Sequence, residues 1–173
     1  HLRHGVKWQD GAPFTAKDVD FTYKTIVDPK IPVRSRVGFN LITDFKVIDD
    51  HNIEIRLQKP FAPFIWCWQN MHIVPQHLLA QVPDIKTAAF NSQPVGTGPY
   101  IFEKRVAGSY MSYKRNPNYH RGPAKIETVI HKFVPDQIVM YTQFKTGEID
   151  FLGMSGVPPA RFEEAKALPG VDI

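Results

Sequence analysis

One cysteine, Cys67, stands alone in 173 residues, so the chain has no internal disulfide framework and no cysteine pair from which to build a zinc ribbon or finger. It also lacks any apolar run near the roughly 20 residues that a bilayer span requires. Its most apolar stretch, Phe61 to Trp68, is far shorter, which excludes a membrane-spanning helix. Charge of one sign is scarce as well. Twenty-one Lys and Arg against 17 Asp and Glu leave a formal +4, and never more than two basic residues follow one another. Nucleic-acid binding needs a concentrated basic face, so no nucleic-acid partner is expected. Glycines (11) are fewer than prolines (15), which predicts many short elements rather than long helices. Neither a methionine nor an apolar leader precedes the strand-like opening at His1, and the sequence reads as a piece of something longer.

What is present is ordinary globular composition, with 43% hydrophobic and 22% charged residues, enough to close a real core at this length. Leu2 to Lys7 is a strand candidate ending in a turn at Asp10-Gly11. Thr15 lies three residues before Asp18, a capping-box spacing, and Val19, Tyr23, Ile26 and Val27 then recur at helical intervals until Pro29 and Pro32 close the helix. Phe45 and Val47, a turn at 49–52, and Ile53, Ile55 and Leu57 alternate as a β-hairpin. Pro60 to Trp68 reads as a short buried helix or turn, and Pro75 opens another through Ala80. Residues 81–93 show no clean period and end at a boundary near Gln93. Beyond it, Tyr100–Val106 and Tyr110–Lys114 predict a second hairpin, Ile126–Val134 a strand, Asp136–Phe144 a capped helix stopped by Gly147, Glu148–Phe151 a strand, and Pro158–Leu168 a last helix. Strands and helices alternate without a fixed repeat, so the expected fold class is mixed α/β.

No catalytic constellation emerges. Gly153-Met154-Ser155-Gly156 lacks the spacing of a nucleophile elbow. Cys67 has no charged sequence neighbour to lower its pKa, and Glu148 and Asp150 fall on opposite faces of their expected strand. The seven histidines include no H-E-x-x-H pattern, so no metal site is expected. Gly96-Thr97-Gly98 lacks the lysine and spacing of a nucleotide loop and reads as a tight crossing stiffened by Pro99. No cofactor is expected, and the chain is expected not to be an enzyme. Trp66, Cys67, Trp68, Gln69 and Asn70 place two indoles beside two amides. Such a set either packs a core or lies over a planar ligand while offering hydrogen bonds.

Four blocks in order carry a resemblance. Residues Leu2-Arg3-His4-Gly5-Val6-Lys7-Trp8-Gln9-Asp10-Gly11-Ala12-Pro13-Phe14-Thr15-Ala16-Lys17-Asp18-Val19, then Pro94-Val95-Gly96-Thr97-Gly98-Pro99-Tyr100, Arg115-Asn116-Pro117-Asn118-Tyr119, and Gly147-Glu148-Ile149-Asp150 resemble the family 5 extracellular solute-binding proteins, receptors of dipeptide, oligopeptide and nickel ABC importers. Family members are roughly three times longer. The resemblance implies a fragment of a two-lobed periplasmic-binding-protein-like receptor, with residues 1–93 as the accessory subdomain, residues 94–173 as the central part of ligand-binding lobe I, and the second lobe absent.

It further implies capture of a peptide or related small solute for ABC importer permease subunits, outside the cytoplasmic membrane. Candidate ligand-binding residues are Arg34, Arg36 and Phe39, from a loop that in the family borders the site, Trp66, Trp68 and Gln69, and Thr97 at the crossing. A hydrolase, or a stand-alone interaction domain using the aromatic patch, is the alternative. Peptide, nickel-complex, haem and sugar receptors share the scaffold, so the solute itself is not specified.

Overall fold

The structure is a computed structural model that describes residues 1–153 and 156–171. Met154 and Ser155, on which the elbow-like sequence falls, lie outside the described residues. The chain divides into two compact units, one of residues 1–104 with 112–129 and the other of residues 105–111 with 130–171.

The first unit is organised around helix α1, Ala16–Val27. Thr15 caps it by accepting from the Lys17 N–H, and the Asp18 carboxylate returns to accept from the Thr15 N–H at 2.9 Å, a complete capping box. Asp18 is more than a cap. The same oxygen accepts from Trp8 Nε1 at 3.3 Å, and the other accepts from the Gln76 N–H at 2.9 Å. This buried carboxylate thus ties the opening turn, α1 and helix α3 (Gln76–Leu79) into one frame. One turn further on, the buried Thr22 hydroxyl donates to the Asp18 carbonyl at 2.7 Å and accepts from the Val74 N–H at 3.0 Å. Every polar group in the frame is matched, which is what makes its burial tolerable. Val6, Trp8, Ala16, Val19, Ile26 and Leu79 supply its buried apolar side.

Strands β1, Ile42–Asp49, and β2, Asn52–Leu57, pair antiparallel with Phe45 opposite Ile55 and Val47 opposite Ile53. On the other face Asp44 stands opposite Arg56 and Lys46 opposite Glu54, so the exposed pairs join opposite charges. Phe45 stacks flat on Tyr23 of α1 with centroids 4.7 Å apart, which seats the hairpin on the helix. Helix α2, Phe64–Gln69, follows.

The expected strand at residues 2–7 reduces to one bridge, Lys7 to Pro13. Pro13 has no N–H to donate, so the ladder cannot extend past it. Residues 81–93 hold two short 3-10 turns, Ile85–Thr87 and Ala89–Asn91.

Strands β3 (Tyr100–Val106), β4 (Tyr110–Arg115) and β5 (Thr128–Lys132) form a three-stranded sheet in that order, and the chain passes along them between the two units. In the second unit, helix α4, Gln137–Lys145, is capped by Asp136, whose carboxylate accepts from the Ile138 and Val139 N–H groups at 2.8 Å. Gly147 stops it at φ 78°, donating to the Phe144 carbonyl. The strand expected at residues 148–151 does not form. The Glu148 and Ile149 amides both donate to the Gln143 carbonyl, at 2.8 and 3.2 Å, so the end of α4 draws in the groups a ladder would need. The last helix is a 3-10 turn, Pro159–Arg161, running into α5, Phe162–Lys166. Its Glu164 pairs with Lys145 of α4. Tyr141 and Ala165 are buried here, while Ile130, Ile138 and Phe151 are exposed.

Candidate functional site

Helix α2 was expected to be buried, and it has no buried residue. Its side chains divide by helical register. Phe64 and Trp68, four apart, turn toward the hairpin, where Trp68 meets Phe39 edge-on at 4.9 Å, Phe64 at 6.5 Å and Phe45 at 6.4 Å. Pro63, Trp66, Cys67 and Asn70 recur at three- and four-residue spacing on another face and line a hollow of about 340 Å³. Trp66 is 65% exposed there.

The opposite wall is the loop that follows α1. Arg34, Ser35 and Val37 line the hollow, with Phe39, Phe61 and Met71 completing it. Two devices hold the loop in place. Arg36 donates from one terminal nitrogen to the Asp28 carbonyl at 2.8 Å and the Ile31 carbonyl at 2.6 Å, which closes the loop on itself. Gly38 adopts φ 84°, and a Cβ there would lie 2.6 Å from Cys67 Sγ and 3.3 Å from the Phe61 ring. Only glycine combines this backbone with so close an approach to α2.

Of the candidate ligand-binding residues, the structure brings Arg34, Phe39 and Trp66 into one hollow. Phe39 is its floor, with 1% of its surface exposed. Trp68 stands in the aromatic layer behind, Arg36 braces the loop, and Gln69 is exposed outside the lining. Thr97 belongs to a different construction. Gln9 accepts from the Gly96 N–H at 3.0 Å and donates to the Gly98 and Tyr100 carbonyls at 3.3 and 2.7 Å. Asn116 donates to the Gly98 carbonyl at 3.1 Å from its side chain and to the Pro99 carbonyl at 2.7 Å from its backbone. Three of the blocks that carry the family resemblance therefore meet in one hydrogen-bonded knot, and none of their residues lines the hollow. They are frame. Ser35, Val37, Phe61, Pro63 and Met71 escaped sequence reasoning, although counting three and four along α2 from Pro63 finds the wall that Trp66 and Asn70 share.

A second hollow of about 230 Å³ is lined by Leu78, Leu79, Val82, Ala88, Ala89, Phe90 and Gln93, with no ionisable group. Elsewhere, His120 is held below the usual imidazole range by burial and by the charges of Arg3 and Arg121. Its ring packs against Tyr119 at 4.5 Å. Among the described residues no group of three His, Cys, Asp or Glu side chains could hold a metal ion, and no helix is long and apolar enough to cross a membrane. The first hollow is the site best equipped to bind, with a guanidinium, an amide and a hydroxyl set among aromatic walls.

A family model described as bacterial extracellular solute-binding proteins, family 5 Middle, matches residues 1–173. A Brucella ovis protein named for ABC transporter peptide binding is 30% identical over 149 residues, covering 84% of this chain and 28% of its own. NikZ from Campylobacter jejuni, solved in complex with Ni(L-His), is 32% identical with a TM-score of 0.79, over 86% of this chain and 30% of that one. AppA from Bacillus subtilis, solved in complex with a nonapeptide, is 27% identical with a TM-score of 0.84, over 95% of this chain and 33% of that one. The chain thus spans between 28% and 33% of the length of these relatives.

Proposed function

The chain belongs to the family 5 bacterial extracellular solute-binding proteins, and from that premise we propose that it is part of the substrate-binding component of an ABC importer, contributing one wall of the cleft that captures a peptide or related small solute. The observation that carries this reading is the hollow between the Arg34–Val37 loop and α2, where a largely exposed indole stands beside a guanidinium. An exposed tryptophan costs solvation unless something covers it, and a solute is the cover proposed. No chemistry is done on the solute. The receptor delivers it to permease subunits in the periplasm or, more generally, outside the cytoplasmic membrane.

In this reading residues 1–93 form the accessory subdomain and residues 94–173 the central part of the first ligand-binding lobe, while a second lobe elsewhere in the whole receptor closes over the bound solute. Closure is stabilised by contacts made to both lobes at once. The wall alone then buries little of any ligand, so residues 1–173 by themselves should bind mixed di- to pentapeptides no better than millimolar. Mass spectrometry of small molecules that copurify with the intact receptor names the solute class, and calorimetry with the identified solute measures its affinity. Sustained turnover of peptide or ester substrates by the pure receptor would replace binding with catalysis. Micromolar binding by residues 1–173 alone would mean that the site is complete without a second lobe.

A further inference from the structure

The two arginines of the loop have different surroundings, and the difference bears on what the hollow accepts. Arg36 is consumed by two backbone carbonyls. Arg34, two residues earlier, is exposed, and among the described residues its guanidinium has no hydrogen-bond or ion-pair partner. It is also the sole formal charge among the residues lining the hollow, which include no aspartate, glutamate or histidine. Beside it, the Ser35 hydroxyl oxygen accepts from the Val37 N–H at 3.2 Å and so keeps its own proton to donate. The Asn70 amide donates to the Trp66 carbonyl at 3.2 Å with one N–H and retains the other. The remaining lining, Val37, Phe39, Phe61, Pro63, Trp66, Cys67 and Met71, is apolar apart from the Cys67 thiol, which donates to the Pro63 carbonyl at 3.5 Å.

Resting on the reading of this hollow as part of a solute cleft, we infer that it selects a carboxylate carried on an aromatic or branched apolar body. Arg34 is the specificity-determining residue. Its planar fork matches a carboxylate with two parallel N–H donors, and the spare protons of Ser35 and Asn70 lie on the same wall. The apolar body of the solute covers Trp66 and Phe61. At about 340 Å³ the hollow is at the small end of ligand sites, so it takes one residue-sized group: the carboxyl-terminal residue of a short peptide, or a free aromatic acid of that size. A cationic end would face Arg34 with no acidic residue in the lining to offset it.

The test uses the intact receptor that contains these residues, with N-acetylphenylalanine and its neutral amide as paired probes, titrated by calorimetry at low salt. The acid should bind about tenfold or more tightly than the amide, the worth of a charge-assisted pair. Arg34→Gln should remove that preference by bringing the acid's affinity down to about that of the amide, and Arg34→Lys should keep part of it. Trp66→Ala should weaken acid and amide by the same factor. Equal affinity for the two probes in the unmodified receptor, or an acid preference that survives Arg34→Gln, overturns the inference even if Trp66→Ala still weakens both and the cleft reading stands. Failure of the acid to bind at millimolar concentration also overturns it. If the receptor binds its copurified solute unchanged in both Arg34→Gln and Trp66→Ala, the placement of the cleft falls as well.

Discussion

The opening frame and the α2 wall are built from similar residues and put to opposite uses. In the frame, Trp8 is 3% exposed, its indole N–H is satisfied by Asp18, and the carboxylate serves three donors at once. At the wall, Trp66 is 65% exposed and α2 buries nothing completely. One tryptophan is enclosed by hydrogen bonds and packing, and the other is held out by a helix whose opposite face does the packing. Stability is therefore concentrated in the frame, and the wall is free to be a recognition surface held up by its neighbour.

The strongest attempt to break this contrast is Asp18→Ala. It leaves the Trp8 indole, the Thr15 amide and the Gln76 amide without their acceptor in a buried place, and should cost about 3 to 5 kcal/mol of stability. Denaturant unfolding measures the loss. Solute affinity per folded molecule should stay as it was, and a specific loss of affinity without loss of stability would erase the division of labour.

Within α2 itself the contrast repeats on a smaller scale. Trp68→Ala empties the layer shared with Phe39, Phe45 and Phe64 and should cost about 3 kcal/mol of stability. Trp66→Ala should change stability by less than about 0.5 kcal/mol, yet reduce solute affinity about tenfold by removing apolar contact. Paired melting and calorimetry on the two variants decide it. Trp68→Ala lowering affinity without lowering the melting temperature would move the cleft to the other side of the helix.

Gly38→Ala tests the joint between loop and helix. The added methyl would meet Cys67 Sγ at 2.6 Å on a backbone at φ 84°, and a loss of about 1 to 3 kcal/mol is expected. Adding Cys67→Ala should return part of it, because the sulfur is the nearest obstacle. No recovery in the double variant would assign the whole cost to the backbone.

How much of this was legible in the sequence differs between the same two regions. The Thr15–Asp18 spacing announced the capping box, Asp136 and Gly147 the limits of α4, and the alternation at 53–57 the hairpin, because each is a local signal read within a few residues. The other two donors to the Asp18 carboxylate were not legible, since Trp8 is 10 residues from it and Gln76 is 58. Strands expected at 2–7 and 148–151 failed for reasons that alternation does not carry, a proline in the facing chain and a helix end competing for the amides. At the wall, composition singled out both tryptophans without separating them. Only the start of α2 at residue 64 assigns Trp68 to the packed side and Trp66 to the open one. Similarly, nothing in Arg34-Ser35-Arg36 shows which arginine is tied down.

The smallest expected effect is at the edge of the frame, where His77 Nε2 meets Asp10 Oδ2 at 2.6 Å across the opening turn. Burial pushes the Asp10 carboxyl upward, but the hydrogen bond and charge of His77, with the Ala12 amide, outweigh it and hold the group below the ordinary carboxylate range. A group whose pKa is lower folded than unfolded contributes stability above its unfolded value, near 4, and loses it as pH falls through the folded value. Both side chains are about one-third exposed, so solvent screening keeps the contribution within about 1 kcal/mol. Asp49, through the His51 amide and the Asn52 side chain, and Glu164, through Lys145, are held low in the same direction. The total acid sensitivity therefore does not isolate Asp10. The difference between the unmodified protein and His77→Gln does. Their stabilities should differ from pH 5 to 7 and converge as pH falls below about 4. Melting curves across that range that stay parallel to the lowest pH would show that the pair contributes nothing through Asp10, and that the frame ends at Asp18.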